Sequence, residues 1–316
     1  MPRVVLVIGA SQYLGARTVQ TLQDDPGVDR VLGVDSAPPH LPIGEAEFVH
    51  ADACGDGVDR VIRESGADTV LHLGLLSTDR GPVQENTRVG TMQVLAACQR
   101  STAVSRLVLR SGSALEARDV AEVETYTRGL ARRRPDLSVA VLRFANIIGP
   151  SVETPLTHYL GMRVVPTMRG HDPRMQFIHE DDGVEVLRRM ALGSGSPYDG
   201  FFDVAAPGAM PLSACLRRVG RPGIPVPERG LRVLGGLGRR RGAHYSPERL
   251  RRLCCDRVFD TGQLERVLEW TPTHTSRQAF EAFADAAGRA SDQLERADPP
   301  NRFGPAAARV RAGVGR

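Results

Sequence analysis

The chain has 316 residues, a net charge of +4 and 41% hydrophobic residues, a composition typical of a folded globular protein with a sizeable core. No apolar run reaches the roughly 18–20 residues that span a bilayer, and no signal-peptide layout precedes the first apolar run, so we expect a cytoplasmic protein without a membrane partner. The five cysteines lack Cys-x-x-Cys spacing and are odd in number. This argues against both a disulfide framework and a metal site.

The sequence contains no lysine, so all 41 basic residues are arginines. Any mechanism that needs an ammonium side chain is therefore excluded. The densest basic stretch surrounds residues 239–241, where an RNA or membrane surface is conceivable. Because aromatic residues are not interleaved with these arginines, we interpret the stretch as a solvated face and expect no nucleic-acid partner.

Apolar runs alternate with helix-like stretches through the first half of the chain, which is the pattern of βαβ units and a parallel sheet. Strands are predicted at residues 4–8, 31–34, 48–50, 69–73, 107–109 and 139–144. Helices are predicted at residues 15–24, 58–65, 86–100 and 117–133. The predicted fold is α/β, a Rossmann doubly wound parallel sheet followed by a smaller C-terminal substrate lobe.

After Gly149-Pro150, prolines and glycines interrupt shorter apolar pieces, as expected for that second lobe. A helix at 181–192 and a strand at 201–204 are predicted to return to the first lobe, and a helix at 247–253 to begin after Ser246. We predict a dinucleotide-binding domain of residues 1–150 and 176–206, a substrate-binding lobe of residues 151–175 and 207–288, and a flexible tail of residues 289–316.

A glycine-containing turn follows the first strand and opens the first helix. Its sequence is Gly-Ala-Ser-Gln-Tyr-Leu-Gly, from Gly9 to Gly15. Glycines let such a turn bend tightly and approach a pyrophosphate, while the helix N-terminus offers free N–H groups. Gln12 replaces the middle glycine, which places a side chain where the phosphate would approach. We predict cofactor contacts at Gly9, Ser11, Gln12, Tyr13, Leu14 and Gly15.

Asp35 closes the second predicted strand about 20 residues after the turn. A carboxylate here can accept hydrogen bonds from the adenosine ribose hydroxyls and repel a 2′-phosphate, which favours NAD over NADP. The alternative interpretation is an ordinary surface aspartate at a strand end.

Five short segments occur in the order typical of the extended short-chain dehydrogenase/reductases, the NAD-dependent epimerase/dehydratase family. They are residues 48–52, 70–74, 86–91, 142–150 and 177–182, and the chain resembles this family over roughly residues 4–285. The resemblance implies cofactor contacts at Asp52, Ala53, Leu73, Gly74, Phe144 and Asn146. It implies substrate contacts at Asn146, Arg174, Gln176 and His179, with Arg174 suited to an anionic substrate group. Family members often form homodimers through helices equivalent to 86–100 and 117–133.

The sequence departs from this family at the Tyr-x-x-x-Lys pair that usually performs its proton chemistry. Counting along the predicted helix puts Glu116 at the tyrosine position and Val120 at the lysine position. Tyr126 is nearly three helical turns away, roughly 15 Å, and is too distant to substitute. Candidate catalytic groups are Ser113 or Ser111 as the hydroxyl, and Glu116 as an acid with a raised pKa. The alternative for Glu116 is a solvated first-turn residue that the helix dipole favours.

Three functional hypotheses remain open at this point. The first is an NAD(P)-dependent enzyme of reductase, epimerase or dehydratase type, acting on a carbonyl or hydroxyl of a small metabolite without the usual Tyr/Lys pair. The second is a non-catalytic dinucleotide-binding sensor or partner-binding protein. The third is a non-redox catalyst on the same scaffold. His179 and Asp182 have a structural alternative, as a cap for the helix that starts there.

Overall fold

The computed structural model describes residues 2–55, 57–73, 83–111, 117–193, 199–227 and 258–297. The strands are β1 (Val4–Ile8), β2 (Arg30–Asp35), β3 (Glu47–His50), β4 (Thr69–His72), β5 (Arg106–Ser111), β6 (Ser138–Phe144), β7 (Asn146–Ile148), β8 (Val165–Met168), β9 (Arg174–Met175), β10 (Phe177–His179), β11 (Gly200–Val204), β12 (Met210–Pro211) and β13 (Gly223–Val226). The helices are α1 (Tyr13–Gln23), α2 (Gly57–Ser65), α3 (Val83–Arg100), α4 (Ala117–Arg133), α5 (Pro155–Leu160), α6 (Glu180–Leu192), α7 (Leu212–Arg218), α8 (Gly262–Leu268) and α9 (Ser276–Ala297).

Seven strands form one parallel sheet in the order β11-β6-β5-β4-β1-β2-β3. The chain runs outward from β1 through β2 to β3 and then crosses to β4, on the other side of β1. The strand order therefore reverses between β1 and β4, and ligands of doubly wound sheets bind at the carboxyl ends of the strands at such a point. The predicted Rossmann fold is confirmed.

Alternate residues along each strand pack on opposite faces of the sheet. Val5 and Val7 of β1 face a core that α1, α6 and α8 cover, whereas Leu6 and Ile8 face a core that α2, α3 and α4 cover. All four side chains are fully or almost fully buried. Both faces are covered, which explains why the strands are continuous apolar runs rather than alternating ones.

A third core joins α5, α7 and α9 to β8–β10. Tyr159, Phe177 and Phe280 are fully buried there, and the rings of the two phenylalanines are 5.3 Å apart. Leu264 and Leu268 of α8 instead pack in the core beneath α1 and α6. The proposed division into two lobes stays a prediction, but α8 packs with the dinucleotide-type sheet and not with the lobe to which the sequence assigned it.

The predicted strands and helices of the first half are found with ends that shift by at most a few residues. The returning helix and strand are confirmed as α6 and β11. The helix predicted at 247–253 lies outside the described residues. The tail predicted from residue 289 is corrected, since α9 continues to Ala297 and residues 289–297 are helical.

No helix in the described part of the chain is long and apolar enough to cross a membrane. No cluster of three or more His, Cys, Asp or Glu side chains in it could hold a metal ion.

Candidate functional site

The turn between β1 and α1 packs against the end of β2. Its first residue, Gly9, has φ 98°, and the N–H groups of Gly9 and Ala10 donate to the carbonyl of Val34 at 2.9 and 3.3 Å. A Cβ at Gly15 would lie 2.0 Å from the carbonyl oxygen of Gly9. Only glycine fits at Gly15, and only without a Cβ can the helix start so close above the end of β1.

Asp35 ends β2 and points toward this turn. Its Oδ2 accepts hydrogen bonds from the Ser11 N–H at 3.0 Å and from the Ser11 hydroxyl at 2.5 Å. Its Oδ1 accepts one from the N–H of Ser36 at 2.7 Å. The half-buried carboxylate therefore fixes the turn and also stands where the sequence analysis expects the ribose contact.

The start of α1 offers N–H groups to an anion. Tyr13, Leu14 and Gly15 lie in the first helical turn, and their N–H groups receive no acceptor from the described residues. Gln12 is the N-cap, yet its side chain makes no capping bond, and the first turn contains no acidic residue. The positive end of the helix dipole is therefore available to a phosphate.

Tyr13 also connects this turn to α6. Its hydroxyl donates to Oε1 of Glu180 at 2.9 Å, and burial together with this carboxylate raises the pKa of Tyr13 to about 12. Glu180 is buried and accepts further bonds from the N–H groups of Ser151 and Val152. A Cβ at Gly149 would lie 2.4 Å from this carboxylate, so glycine makes room for it. The carboxylate of Glu180 thus accepts hydrogen bonds both from the turn between β1 and α1 and from the segment after β7.

The end of β4 carries a buried histidine. Nε2 of His72 lies 3.0 Å from the hydroxyl of Thr91, while its Nδ1 has no hydrogen-bond partner in the part of the chain that the structure describes. Burial lowers the pKa of His72 to about 4, so the ring is neutral at pH 7. The next residue, Leu73, is buried. Gly74, another expected cofactor contact, lies outside the described residues.

The segment after β3 lies against the glycine of α3. Asp52 is exposed and accepts a hydrogen bond from the N–H of Cys54 at 2.9 Å. A Cβ at Gly90 would lie 3.2 Å from the Cβ of Ala53, so α3 approaches this segment closely. The predicted adenine contacts at Asp52 and Ala53 are therefore held near the edge of the sheet, and their cofactor role stays a prediction.

A buried charged side chain, that of Arg110, lies near the carboxyl end of β5. Arg110 is only 4% exposed, and its guanidinium lies 5.1 Å from the ring centre of Phe144. Its Nε and Nη1 have no hydrogen-bond partner within the described ranges of the chain. Burial lowers the pKa of Arg110 to about 9. Ser111, a candidate catalytic hydroxyl, follows it and is buried. The other two candidates, Ser113 and Glu116, lie outside the described residues.

The passage from β6 to β7 combines structural and exposed groups. Arg143 forms two bonds to the buried carboxylate of Glu124, at 2.8 and 2.7 Å, and so ties β6 to α4. Phe144 is buried, whereas Asn146 is half-buried where β7 pairs with Phe177 of β10. Of the two predicted contacts here, Asn146 is the one with a partly exposed side chain.

The predicted substrate residues near β9 and β10 have different surroundings. Arg174 is exposed. The amide of Gln176 is fully engaged, because its Nε2 donates to the carbonyl of Ala206 and its Oε1 accepts from the N–H of Phe259, both at 2.8 Å. Substrate contact by either residue stays a prediction.

His179 is confirmed as the N-cap of α6, since its Nδ1 accepts from the N–H of Asp181. Its ring stacks on His274 at 4.0 Å between centres, and burial lowers its pKa. Asp182 is not the cap; its carboxylate instead accepts from the hydroxyl and N–H of Thr273 and lies 2.9 Å from Nδ1 of His274. These contacts hold Thr273 and His274 against the start of α6.

Sequence reasoning missed two groups, Arg110 and Glu180. The signal for Arg110 is a charged residue inside the apolar run of β5, which a parallel strand buried on both faces does not normally tolerate. Glu180 gave no such signal, because an acidic residue in the first turn of a helix is ordinary.

Comparisons with known proteins agree with this geometry. Residues 5–127 match the model of the NAD dependent epimerase/dehydratase family. The uncharacterized protein Rv0501 of Mycobacterium tuberculosis is 35% identical over 318 residues, covering 89% of this chain and 83% of that protein. A Mycobacterium bovis protein, Mb0513, matches equally well.

Three solved structures share the fold at lower identity. MoeE5, in complex with UDP-glucuronic acid and NAD, is 19% identical with a TM-score of 0.69, covering 90% of this chain and 99% of that one. The UDP-glucose 4-epimerase of Thermotoga maritima is 15% identical with a TM-score of 0.65, covering 91% and 99%. The dTDP-glucose 4,6-dehydratase of Bacillus anthracis, in complex with NAD, is 12% identical with a TM-score of 0.67, covering 92% and 98%. With its phosphate-type turn and its matched relatives, the chain belongs to the NAD dependent epimerase/dehydratase family.

Proposed function

We propose that this protein is an NAD-dependent enzyme of reductase, epimerase or dehydratase type that acts on a carbonyl or hydroxyl group of a small metabolite. The observation that carries the proposal is the turn from Gly9 to Gly15 closed onto the carboxylate of Asp35. At the switch point of the sheet, the free N–H groups are suited to the pyrophosphate of an adenosine diphosphate group, and the carboxylate is suited to its ribose. Family membership supports the same assignment. A cytoplasmic location stays a prediction from the sequence.

The residues present fit such a cofactor. The pyrophosphate would bind to the N–H groups at the start of α1, which begins close above the end of β1 because Gly15 has no Cβ. The ribose would bind Asp35, whose Oδ1 accepts from the Ser36 N–H at 2.7 Å and only at 3.5 Å from the Ser36 hydroxyl, a long contact that a ribose hydroxyl could replace. Asp52 and Ala53 would contact the adenine, while Leu73, Gly74, Phe144 and Asn146 would border the nicotinamide half. When bound, the nicotinamide supplies or accepts a hydride.

Proton transfer must be organised differently here than by a Tyr/Lys pair. The sequence has no lysine, and the ring of Tyr126, on α4, packs against the core beneath that helix, with the Arg133 guanidinium 5.5 Å from its centre. We assign the hydroxyl role to Ser113 or Ser111 and the acid role to Glu116, which would donate a proton to a substrate oxygen. Asn146, the first residue of β7, would orient the substrate.

A substrate with an anionic group is consistent with the charges around the smaller lobe. MoeE5 binds UDP-glucuronic acid and the Thermotoga maritima enzyme binds UDP-glucose. By analogy we propose a small anionic metabolite as substrate, with Arg174 as its exposed cation. His179 would act mainly as the N-cap of α6.

Titrating the purified protein with NADH and NADPH, followed by nucleotide fluorescence, tests cofactor binding. We expect NADH to bind more tightly than NADPH. Asp35→Asn should weaken NADH binding about ten-fold, since it removes a charge-assisted acceptor. Asp29→Asn is the matched control, because Asp29 accepts from the N–H of Arg3 at the opposite edge of the sheet and should leave the affinity unchanged. A protein that binds neither nucleotide contradicts the proposal.

A second candidate is a protein that binds the dinucleotide without turning it over. The lack of lysine and the replacement of the family tyrosine favour it. Bound NADH that stays fully reduced with a panel of sugar nucleotides and simple carbonyl compounds would support this candidate. If the wild type oxidises the bound nucleotide and Glu116→Gln does not, the result would support the enzymatic function.

A further inference from the structure

Arg110 is a buried cation at the carboxyl end of β5. Its side chain is 4% exposed, and neither Nε nor Nη1 has an acceptor among the described residues. Burial lowers the pKa of Arg110 to about 9, and this still leaves the guanidinium charged at pH 7. Arginine is almost never fully buried without a partner, because a desolvated charged donor is costly. Such an unsatisfied group in a folded protein requires an explanation.

Other arginines of the chain have the partners that Arg110 lacks. Arg106, four residues earlier on the same strand, donates to the carbonyls of Met190 and Gly193 at 3.0 and 2.8 Å. Arg143, on the neighbouring strand, forms two bonds to Glu124. Arg106 lies at the amino end of the strand, and Arg143, which pairs with Ser111, extends to α4 on one face of the sheet. Arg110 lies near the carboxyl end on the other face, over Phe144.

The guanidinium of Arg110 extends toward that edge. Leu142 is the residue opposite Arg110 in β6, yet the guanidinium lies over Phe144, two residues further toward the carboxyl end. Phe144 in turn borders Gly183 of α6, and a Cβ at Gly183 would lie 3.5 Å from Phe144 and 3.7 Å from Leu14 of α1. The ring under the cation therefore adjoins the first turn of α6, which in turn faces Leu14 in the first turn of α1, and the dipoles of both helices favour an anion at this edge.

We infer that Arg110 forms an anion-binding site that takes an oxyanion group, a phosphate or a carboxylate, of a small molecule entering the cleft. The planar guanidinium can hold such a group by two parallel hydrogen bonds. The oxyanion has two sources, the pyrophosphate of the dinucleotide or an anionic group of a second ligand. The first source depends on the proposed cofactor binding, whereas the second does not.

Two matched Arg→Met variants on one strand separate this role from a structural one. Arg110→Met should raise the melting temperature of the ligand-free protein, because it removes a buried unsatisfied charge. Arg106→Met changes the net charge equally and should lower it, because two carbonyls lose their donor. Inorganic pyrophosphate should raise the melting temperature of the wild type and of Arg106→Met, but not that of Arg110→Met. Arg110→Lys should retain part of the response.

NADH and a nucleoside diphosphate then identify the source. A ten-fold or greater loss of NADH affinity in Arg110→Met assigns the site to the cofactor. Unchanged NADH affinity with lost UDP binding assigns it to a second ligand. An equal pyrophosphate response in wild type and Arg110→Met, or a less stable Arg110→Met, overturns the inference while leaving cofactor binding intact. A wild type that responds to pyrophosphate through Arg110 but never binds NADH would refute the proposed function and keep this site.

Discussion

The charged side chains at the two edges of the parallel sheet differ in their hydrogen-bond partners. At the amino edge, Arg3 and Arg106 donate to carbonyls at the end of α6, and Arg134 donates to carbonyls at and beyond the end of α3. At the carboxyl edge, Arg110 and His72 are buried with ring or guanidinium nitrogens that have no partner among the described residues. The arginines of the amino edge are thus satisfied by internal hydrogen bonds, whereas Arg110 and His72 at the carboxyl edge keep unpaired nitrogens among the described residues.

This difference follows from the direction of the chain. In a parallel βαβ fold, helix C-termini and strand N-termini share one edge, so arginines there complete the helices and stabilise them. Helix N-termini and strand C-termini share the other edge, where the exposed groups are donors and the potential is positive. One edge therefore contributes stability, while the other is left with donors that only a ligand can satisfy.

The largest expected effect is at the carboxyl edge, for Gly15→Ala. The added Cβ would lie 2.0 Å from the Gly9 oxygen, so the helix must move away from β1. We expect a loss of about 3 kcal/mol or more in the free energy of unfolding and loss of nucleotide binding. Urea denaturation and NADH titration measure the two.

Gly288→Ala is the control for Gly15→Ala. No atom lies within 4 Å of the added Cβ in α9, so this helical substitution should stabilise by about 1 kcal/mol. Equal behaviour of the two variants would mean that the turn is not tightly packed.

Acidification should also act at the carboxyl edge, through His72. Its pKa is about 4 when folded and about 6.5 in the unfolded chain, so the unfolded state binds more protons as the pH falls. Stability should therefore fall by about 3 kcal/mol between pH 6.5 and 4. The buried His179, whose pKa is also lowered, adds to the same trend.

Urea denaturation at several pH values isolates the part due to His72. His72→Gln should flatten the dependence, because glutamine does not titrate. His171→Gln, at an exposed position, should retain the slope of the wild type. A slope unchanged by His72→Gln would show that the ring is solvated.

At the amino edge, Arg134→Met should cost about 2 kcal/mol. Its guanidinium donates to the carbonyls of Gln99 and Ser101 at 3.0 and 2.8 Å, and these acceptors would have to find water. Nucleotide affinity should not change. A change in NADH affinity with unaltered stability would contradict the division of roles between the two edges.

Much of this organisation could be predicted from the sequence. The apolar runs of β1, β2 and β4 and the glycine turn set the sheet and its cofactor edge, because strand burial and positive φ leave direct marks on residue choice. Position along a strand also predicted Asp35 at the turn. These features are local, and a single sequence carries them.

The remainder depends on packing between distant segments. The burial of Glu180 against Tyr13 and Ser151 requires α1, α6 and the chain after β7 to meet, and residues 13 and 180 give no local sign of it. The engagement of Gln176 by Ala206 and Phe259 is equally non-local. The family resemblance implied a substrate contact at Gln176, but its hydrogen bonds go to the backbone of two other segments.

The smallest expected effect concerns this link between the two lobes. Tyr13→Phe removes one hydrogen bond to Glu180, whose carboxylate keeps the N–H groups of Ser151 and Val152, so the cost should be about 1 kcal/mol. Tyr159→Phe is the matched control, since its hydroxyl donates to the Pro166 carbonyl at 2.8 Å inside the smaller lobe. Both variants should lose similar stability in urea. Only Tyr13→Phe should weaken NADH binding, by a few-fold, because only Tyr13 belongs to the turn at the carboxyl edge. If Tyr159→Phe weakened NADH binding equally, the contrast between a ligand-binding edge and a structural remainder would not hold.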